Sequence, residues 1–117
     1  MRGTKAATFR PPSAGDPQLA EIVQRLVEAY RPERVYLFGS AARGDAGPDS
    51  DYDLILIVPD DAPIKRRSPR LGYESVRGLG RSGDFLIWTR SSFEDRANLR
   101  ASLPATVLRE GVLLYAA

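Results

Sequence analysis

The 117-residue sequence contains no cysteine and no histidine. These absences exclude a thiol nucleophile, a Ser-His-Asp triad and the usual zinc sites. Any metal chemistry would therefore depend on carboxylate oxygens, which suit Mg²⁺ or Mn²⁺. A chain without cysteine also forms no disulfide bonds, which favours a location in the reducing cytoplasm.

The sequence also lacks an apolar run of transmembrane length, and its first residues lack the hydrophobic region of a signal peptide. We therefore expect no association with a membrane. The length suits one domain with a single modest core, which we place at residues 16–117. Residues 1–15 contain few large apolar side chains, and this composition predicts a flexible tail.

The charge is small overall but unevenly distributed. A net charge of +2 does not by itself indicate nucleic-acid binding. Within residues 65–81, however, Glu74 is the only acidic residue, and the basic residues are Lys65, Arg66, Arg67, Arg70, Arg77 and Arg81. This basic segment is either a patch for RNA, nucleotide phosphates or an acidic partner, or a solvated face of a helix and its loops.

Helical and strand patterns alternate along the chain. Apolar residues recur at helical spacing after Asp16-Pro17, which predicts a helix over residues 17–30. Strands are predicted over 35–38, 53–58 and 84–89, and residues 112–115 are either a short last strand or an ordered end. Further helices are predicted over 69–79, over 93–101 with Ser92 as the N-cap, and from Pro104 to a C′ residue at Gly111. This order predicts an α/β (α+β) fold, with a small sheet flanked by helices mainly on one face.

A turn that contains glycine follows the first predicted strand, in the sequence from Phe38 to Gly44. Gly39 has no Cβ, so a phosphate could approach its backbone closely and its φ is unrestricted. Ser40 fits the N-cap of a short helical turn whose free N–H groups attract anions. Arg43 adds a positive charge, which either faces a ligand or pairs with an aspartate of the same loop.

Two carboxylates, Asp51 and Asp53, stand where the second predicted strand begins. Residues i and i+2 of a strand point to one face, with Cα atoms roughly 6.5–7 Å apart. Such a pair can share a divalent ion or flank two of them. Asp53 opens an apolar run, where an unpaired carboxylate is costly. A third aspartate, Asp84, stands at the head of the third predicted strand.

Two aromatic residues close to these carboxylates are interpreted as packing residues. Tyr52 lies between the two aspartates and must therefore point to the opposite face of the strand. Trp88 shares a face with Asp84, so stacking on a base stays open. A sheet residue of this kind nevertheless belongs more often to the core.

The combined pattern is Gly39-Ser40-x-x-Arg43-Gly44, then Ser50-Asp51-x-Asp53-Leu54, then Asp84 on a later strand. It resembles the nucleotidyltransferases of the DNA polymerase β superfamily. Within that superfamily the chain is most similar to the minimal nucleotidyltransferases that are paired with HEPN-domain toxins. The resemblance extends from about residue 19 to residue 115, and residues 64–83 are more basic and richer in glycine than is typical of the family.

The resemblance implies a polymerase β-like fold with a mixed sheet, and metal-dependent transfer of a nucleoside monophosphate. Asp51, Asp53 and Asp84 would bind two divalent ions, Mg²⁺ or Mn²⁺, and would be the catalytic residues. Asp84 could also accept the proton of the acceptor hydroxyl. Gly39 and Ser40 would hold the β- and γ-phosphates of the nucleotide, with Arg43 as a candidate charge partner.

The resemblance also implies a partner. The donor would be ATP, the acceptor a tyrosine of a HEPN ribonuclease toxin, and the chain an antitoxin within a homo- or hetero-oligomer. Two alternatives stay open. One is a non-catalytic module that neutralises a toxin by binding it. The other is a dimeric enzyme of the aminoglycoside-modifying type, which the basic segment disfavours because a cationic acceptor needs an acidic groove.

Overall fold

The chain folds around a five-stranded mixed sheet, seen in a computed structural model that describes residues 8–9, 16–39, 42, 51–80 and 83–117. The strands are β1 (Thr8–Phe9), β2 (Arg34–Phe38), β3 (Tyr52–Val58), β4 (Gly83–Thr89) and β5 (Val112–Ala116). Their order in the sheet is β1-β5-β2-β3-β4. The β2–β3 and β2–β5 pairs are antiparallel, and the β3–β4 and β1–β5 pairs are parallel. The predicted mixed sheet is confirmed, and β1 lies within the segment that was expected to be a tail.

The helices of the described residues are α1 (Pro17–Tyr30), α2 (Pro69–Ser75), α3 (Arg90–Ala97) and α4 (Leu103–Glu110), and a 3₁₀ turn at Ile64–Arg67 precedes α2. The bounds of α1 are those predicted. Its N-cap, Asp16, accepts a 3.0 Å hydrogen bond from the N–H of Leu19. Among the described residues, none of the helices combines the length and the apolar character needed to cross a bilayer.

The core has two layers, one on each face of the sheet. On the first face, alternate strand residues such as Leu54 and Leu56 pack against α1 and α2. On the second face, Ile55 and Ile57 pack against Phe93 of α3 and against α4. Burial on both faces explains why β3 is a continuous apolar run. The expectation that helices lie mainly on one face was wrong, since two helices pack on each face. The sequence of α3 gave no indication of its packing, because the helix buries only Phe93 and has no apolar stripe.

Several predicted helix ends differ from the structure, and one of them is the end of α3, which lies at Ala97 instead of about residue 101. Helix α2 stops at Ser75 instead of residue 79, and two glycines with positive φ follow it, Gly78 at 88° and Gly80 at 79°. Helix α3 begins earlier than predicted, and its N-cap is Thr89 and not Ser92. Gly111 has an extended φ of −80°, so it is no left-handed cap. It is small for another reason, since a Cβ there would lie 2.6 Å from a carbonyl oxygen of α4.

The two aromatic residues interpreted as packing residues are confirmed in that role. Tyr52 is buried on the first face, and its hydroxyl donates a 2.5 Å hydrogen bond to Asp16 Oδ2. Trp88 is half-buried on the second face, where its ring meets Phe93 edge-on with centroids 6.4 Å apart.

A buried tyrosine joins α1 to α2. The hydroxyl of Tyr30 donates a 2.5 Å hydrogen bond to the carbonyl of Ser68 and accepts a 2.7 Å bond from the N–H of Gly72. The ring is fully buried. Burial raises the pKa of Tyr30 from its ordinary value of 10.0 to about 12. The hydrogen bond from the Gly72 N–H lowers this pKa, but its effect is smaller than that of burial. The neutral hydroxyl is therefore the form that the fold stabilises.

We expect Tyr30→Phe to lower the free energy of unfolding by about 1–3 kcal/mol, because it leaves the buried N–H of Gly72 and the part-buried carbonyl of Ser68 without their partner. The raised pKa of Tyr30 adds a pH dependence. The folded state holds the proton more tightly, so this contribution is complete below pH 10 and is lost as the pH rises towards about 12. Denaturant unfolding at neutral pH and above pH 10 measures both effects, with Tyr115→Phe as the control. A difference between wild type and Tyr30→Phe that stays constant with pH would contradict the assignment.

Candidate active site

Two of the predicted carboxylates lie side by side in the sheet. Strands β3 and β4 run parallel, and Asp53 is the direct partner of Asp84 in their register. Neighbouring strands are about 4.8 Å apart, and partners in a parallel pair point to the same face. The structure therefore brings Asp53 and Asp84 together at the start of both strands. Asp53 is half-buried, whereas Asp84 is exposed.

The third predicted carboxylate, Asp51, lies immediately before β3 and is exposed. Its position two residues before Asp53 places it towards the same end and face of the sheet. This is the second face, because the partner of Asp53 on β2 is Phe38, which packs against the core of that face. Asp51, Asp53 and Asp84 thus mark one end of the central strands.

The glycine turn lies against this site. Gly39 follows β2 directly and has a φ of +77°, a conformation that favours glycine. A Cβ on Gly39 would stand only 2.5 Å from Asp53 Oδ2. Both the backbone conformation and the closeness of the carboxylate therefore require glycine here. The two halves of the sequence motif therefore meet through Gly39 and Asp53.

The other two predicted phosphate-binding residues, Ser40 and Arg43, lie outside the described residues, and their roles remain predictions. Ala42, between them, is helical and packs partly buried against the first-face core. Arg81 of the basic segment also lies outside the described part of the chain. Of the rest of that segment, Arg67 donates to the carbonyl of Ala62 at 2.8 Å, and Arg70 pairs with Glu74 at 3.2 Å.

The donor set of this site suits a hard divalent cation, because it consists of carboxylate oxygens. Within the described residues, no three acidic side chains form a group that could hold a metal ion by themselves. Mg²⁺ does not require such a group, since it is commonly held by one or two carboxylates together with phosphate oxygens of the substrate. Neighbouring carboxylates beside Gly39 fit that mode of binding.

The structure places one further side chain at the site that the sequence pattern did not indicate. Tyr73 lies on α2, and its hydroxyl donates a long 3.5 Å hydrogen bond to Asp84 Oδ1. Eleven positions separate the two residues, and only the packing of α2 beside β4 brings them together. The pattern of aspartates and glycines could not have indicated this contact.

A cavity of about 310 Å³ lies elsewhere on the second face. It is lined in part by Ile57, Arg90 and Glu33, and the last two form an ion pair at 3.6 Å. Ile57 is four residues beyond Asp53 along β3, towards the opposite end of the strand. This cavity is therefore separate from the carboxylates and the glycine turn.

Comparisons with known proteins identify the family and the fold of this chain. Residues 17–114 match the family model described as a nucleotidyltransferase domain. No curated protein matches the sequence. A candidate nucleotidyltransferase from Sulfolobus solfataricus has a similar structure, with 24% identity and a TM-score of 0.53 over 82% of this chain and 75% of that one.

Two further solved structures are similar in fold. A toxin–antitoxin structure with AMP-PNP has 21% identity and a TM-score of 0.51, over 82% of this chain and 72% of that one. The other is the toxin–antitoxin MntA-HpeT, a mutant with two Asp-to-Glu substitutions two positions apart. It has 19% identity and a TM-score of 0.52, over 81% of this chain and 71% of that one. At these identities the likeness is one of fold. The family match, which covers most of the sequence, establishes that the chain belongs to the nucleotidyltransferase domain family.

Proposed function

We propose that this chain transfers AMP from ATP to a hydroxyl group of a partner protein, with Mg²⁺ as the cofactor. The observation that carries the proposal is the matched register of Asp53 and Asp84, with the glycine turn against Asp53. This arrangement sets two carboxylates beside a backbone that a phosphate can approach closely. Membership of the nucleotidyltransferase domain family supports the type of reaction.

In this proposal the cation would be held by Asp51, Asp53 and Asp84 together with oxygens of the triphosphate. The same ligands are also compatible with Mn²⁺. When bound, the cation neutralises charge that develops on the phosphates and aligns the donor with the acceptor. The exposed position of Asp84 leaves its carboxylate open to an incoming hydroxyl. An oxygen of Asp84 then accepts the proton of that hydroxyl as it attacks the α-phosphorus.

The glycine turn has the role of holding the rest of the triphosphate. Gly39 would offer its N–H, and Ser40 would bind the same β- and γ-phosphates. Arg43 would supply positive charge to the departing pyrophosphate. These contacts would fix the line along which the acceptor attacks the α-phosphorus. Such positioning, together with charge stabilisation, accounts for most of the catalysis in phosphoryl transfer.

We further propose that the acceptor is a tyrosine of a HEPN-type toxin and that the chain acts as its antitoxin in the cytoplasm. Two solved neighbours in fold are toxin–antitoxin proteins, and one of them was solved with AMP-PNP. In the other, the two substituted aspartates have the spacing of Asp51 and Asp53. The proposal extends the toxin partner and the adenine nucleotide from those proteins to this chain.

The test is transfer of label from α-³²P-ATP to a purified candidate HEPN partner in the presence of Mg²⁺. We expect label on a partner tyrosine with the wild-type chain and none with Asp84→Asn. Asp95→Asn, an exposed carboxylate on α3, is the matched control and should transfer normally. Peptide mass spectrometry of the partner identifies the modified residue.

Three results would contradict the proposal. A stable complex that neutralises the toxin without any label, for each of the four nucleoside triphosphates, would indicate a binding module. Label on an added aminoglycoside would indicate a small-molecule acceptor. Label on the partner that persists in Asp84→Asn would remove Asp84 from the catalytic site.

A further inference from the structure

The proposed reaction does not use Tyr73, although its hydroxyl contacts Asp84, one of the proposed catalytic carboxylates. The side chain is 47% exposed, so a nucleotide can reach it. Its ring leans against Phe85 of β4, with centroids 5.0 Å apart at an angle of 42°. Its hydroxyl donates to Asp84 Oδ1 at 3.5 Å. A phenol is thus held beside the residue assigned to accept the proton of the acceptor hydroxyl.

The position of Tyr73 is set by buried contacts of α2. The neighbouring residue, Gly72, donates its N–H to the buried hydroxyl of Tyr30. A Cβ on Gly72 would stand 2.7 Å from the ring of Phe85, so only glycine lets α2 lie this close to β4. The close packing places Tyr73 at the head of β4, where Asp84 stands. The contact with Asp84 therefore depends on the fold and is no random encounter of a surface side chain.

The surroundings of Tyr73 also suit a product that carries a phosphate. Arg70 lies one helical turn before Tyr73 on α2, and its side chain is 85% exposed, although it pairs with Glu74. Residues three apart on a helix lie on the same side. A phosphodiester formed on the Tyr73 oxygen would therefore have a guanidinium within reach on the same helix.

We propose that Tyr73 is a nucleotide acceptor within its own chain, so that the protein modifies itself. This inference rests on the proposed function, because it uses the same donor and the same carboxylates. The Tyr73 oxygen forms a bond to the α-phosphorus, the bond between the α-phosphorus and the bridging oxygen of the β-phosphate breaks, and pyrophosphate leaves. The phenolic proton passes to Asp84. The product is a tyrosine phosphodiester at the entrance of the site, which would slow transfer to a partner.

The experiment is incubation of the purified full chain with Mg²⁺ and ATP, without any partner, followed by intact-mass and peptide mass spectrometry. We expect a mass increase of one AMP, located on the peptide that contains Tyr73. Tyr73→Phe keeps the ring against Phe85 but removes the acceptor oxygen, and it should lose the adduct. Tyr115→Phe, on β5 and separated from β4 by β2 and β3, is the matched control and should keep it. Thermal unfolding of each variant confirms that it is folded.

A mixing experiment tests whether the reaction occurs within one chain. Tyr73→Phe supplies an intact carboxylate site, and Asp84→Asn supplies an intact Tyr73. If Tyr73 reacts only within its own chain, the mixture shows no adduct. An adduct on the Asp84→Asn chain would mean that one copy modifies another, and it would overturn the assignment.

The remaining outcomes separate this inference from the function on which it rests. Label on an added HEPN partner without an adduct on Tyr73 would refute self-modification and leave the proposed function in place. An adduct on a different residue would also refute it. Absence of transfer to either protein, with all four nucleoside triphosphates, would refute both proposals.

Discussion

Replacement of Asp53 with asparagine is expected to lower nucleotidyl transfer by about 10³-fold, the effect of losing several kcal/mol of charge stabilisation in the transition state. Asp53 is the residue that the site is built around, since it adjoins Asp84 in the sheet and Gly39 in the turn. Asparagine has the same shape but no negative charge. The substitution therefore tests the charge of the side chain without creating a cavity.

The fold should survive this change. Removing one of two adjacent carboxylates relieves repulsion between like charges, so we expect the free energy of unfolding to stay within about 1 kcal/mol of the wild-type value or to rise. Transfer rates and denaturant unfolding are measured on the same preparation, with Asp61→Asn, in the exposed turn after β3, as the control. An Asp53→Asn chain that is folded and fully active would disprove the assignment of the site. An unfolded one would make Asp53 a structural residue instead.

We expect the second-largest effect from Gly39→Ala, which combines two costs. A φ of +77° strains a residue with a side chain by about 1–3 kcal/mol. The new methyl group would in addition stand 2.5 Å from Asp53 Oδ2, so either the turn or the carboxylate must move. A displacement of about 1 Å at a catalytic group can lower the rate by about 10²-fold.

Gly80→Ala is a control that separates the backbone strain from the steric clash with Asp53. Gly80 has a similar φ of 79°, but a Cβ there would meet no atom within 4 Å. It should lose stability to a similar extent and retain transfer activity, whereas Gly39→Ala should lose both. Equal activity in the two alanine variants would mean that the glycine turn does not shape the active site. Steady-state transfer and thermal unfolding of the pair provide this comparison.

The parts of the fold that were predictable from the sequence have local causes. Helix α1 follows from its apolar periodicity and from Asp16-Pro17 at its start, and both bounds were predicted. Strand β3 follows from an apolar run that begins next to Asp53, and its observed start differs by one residue. The resemblance to the nucleotidyltransferases implied that Asp53 and Asp84 share a site, but their direct pairing in the register of β3 and β4 was not predicted.

The features that escaped prediction depend on contacts between distant residues. The start of α3 is stabilised by Asp60, whose carboxylate accepts hydrogen bonds from the N–H and the hydroxyl of Ser91. These bonds hold the pKa of Asp60 below its ordinary range. Tyr73 reaches Asp84 only through the docking of α2 beside β4. No periodicity or motif encodes such pairs.

The parallel ladder between β3 and β4 has a consequence for how this protein can tolerate insertions and deletions. Seven consecutive residue pairs, from Tyr52 with Gly83 to Val58 with Thr89, are in register without a bulge. The ladder, and not the length of the connecting chain, determines where Asp84 stands. Added residues near Gly78 should therefore leave the two carboxylates together. A single residue deleted inside β4, just after Asp84, would turn every side chain on one side of the deletion to the opposite face and separate the two carboxylates.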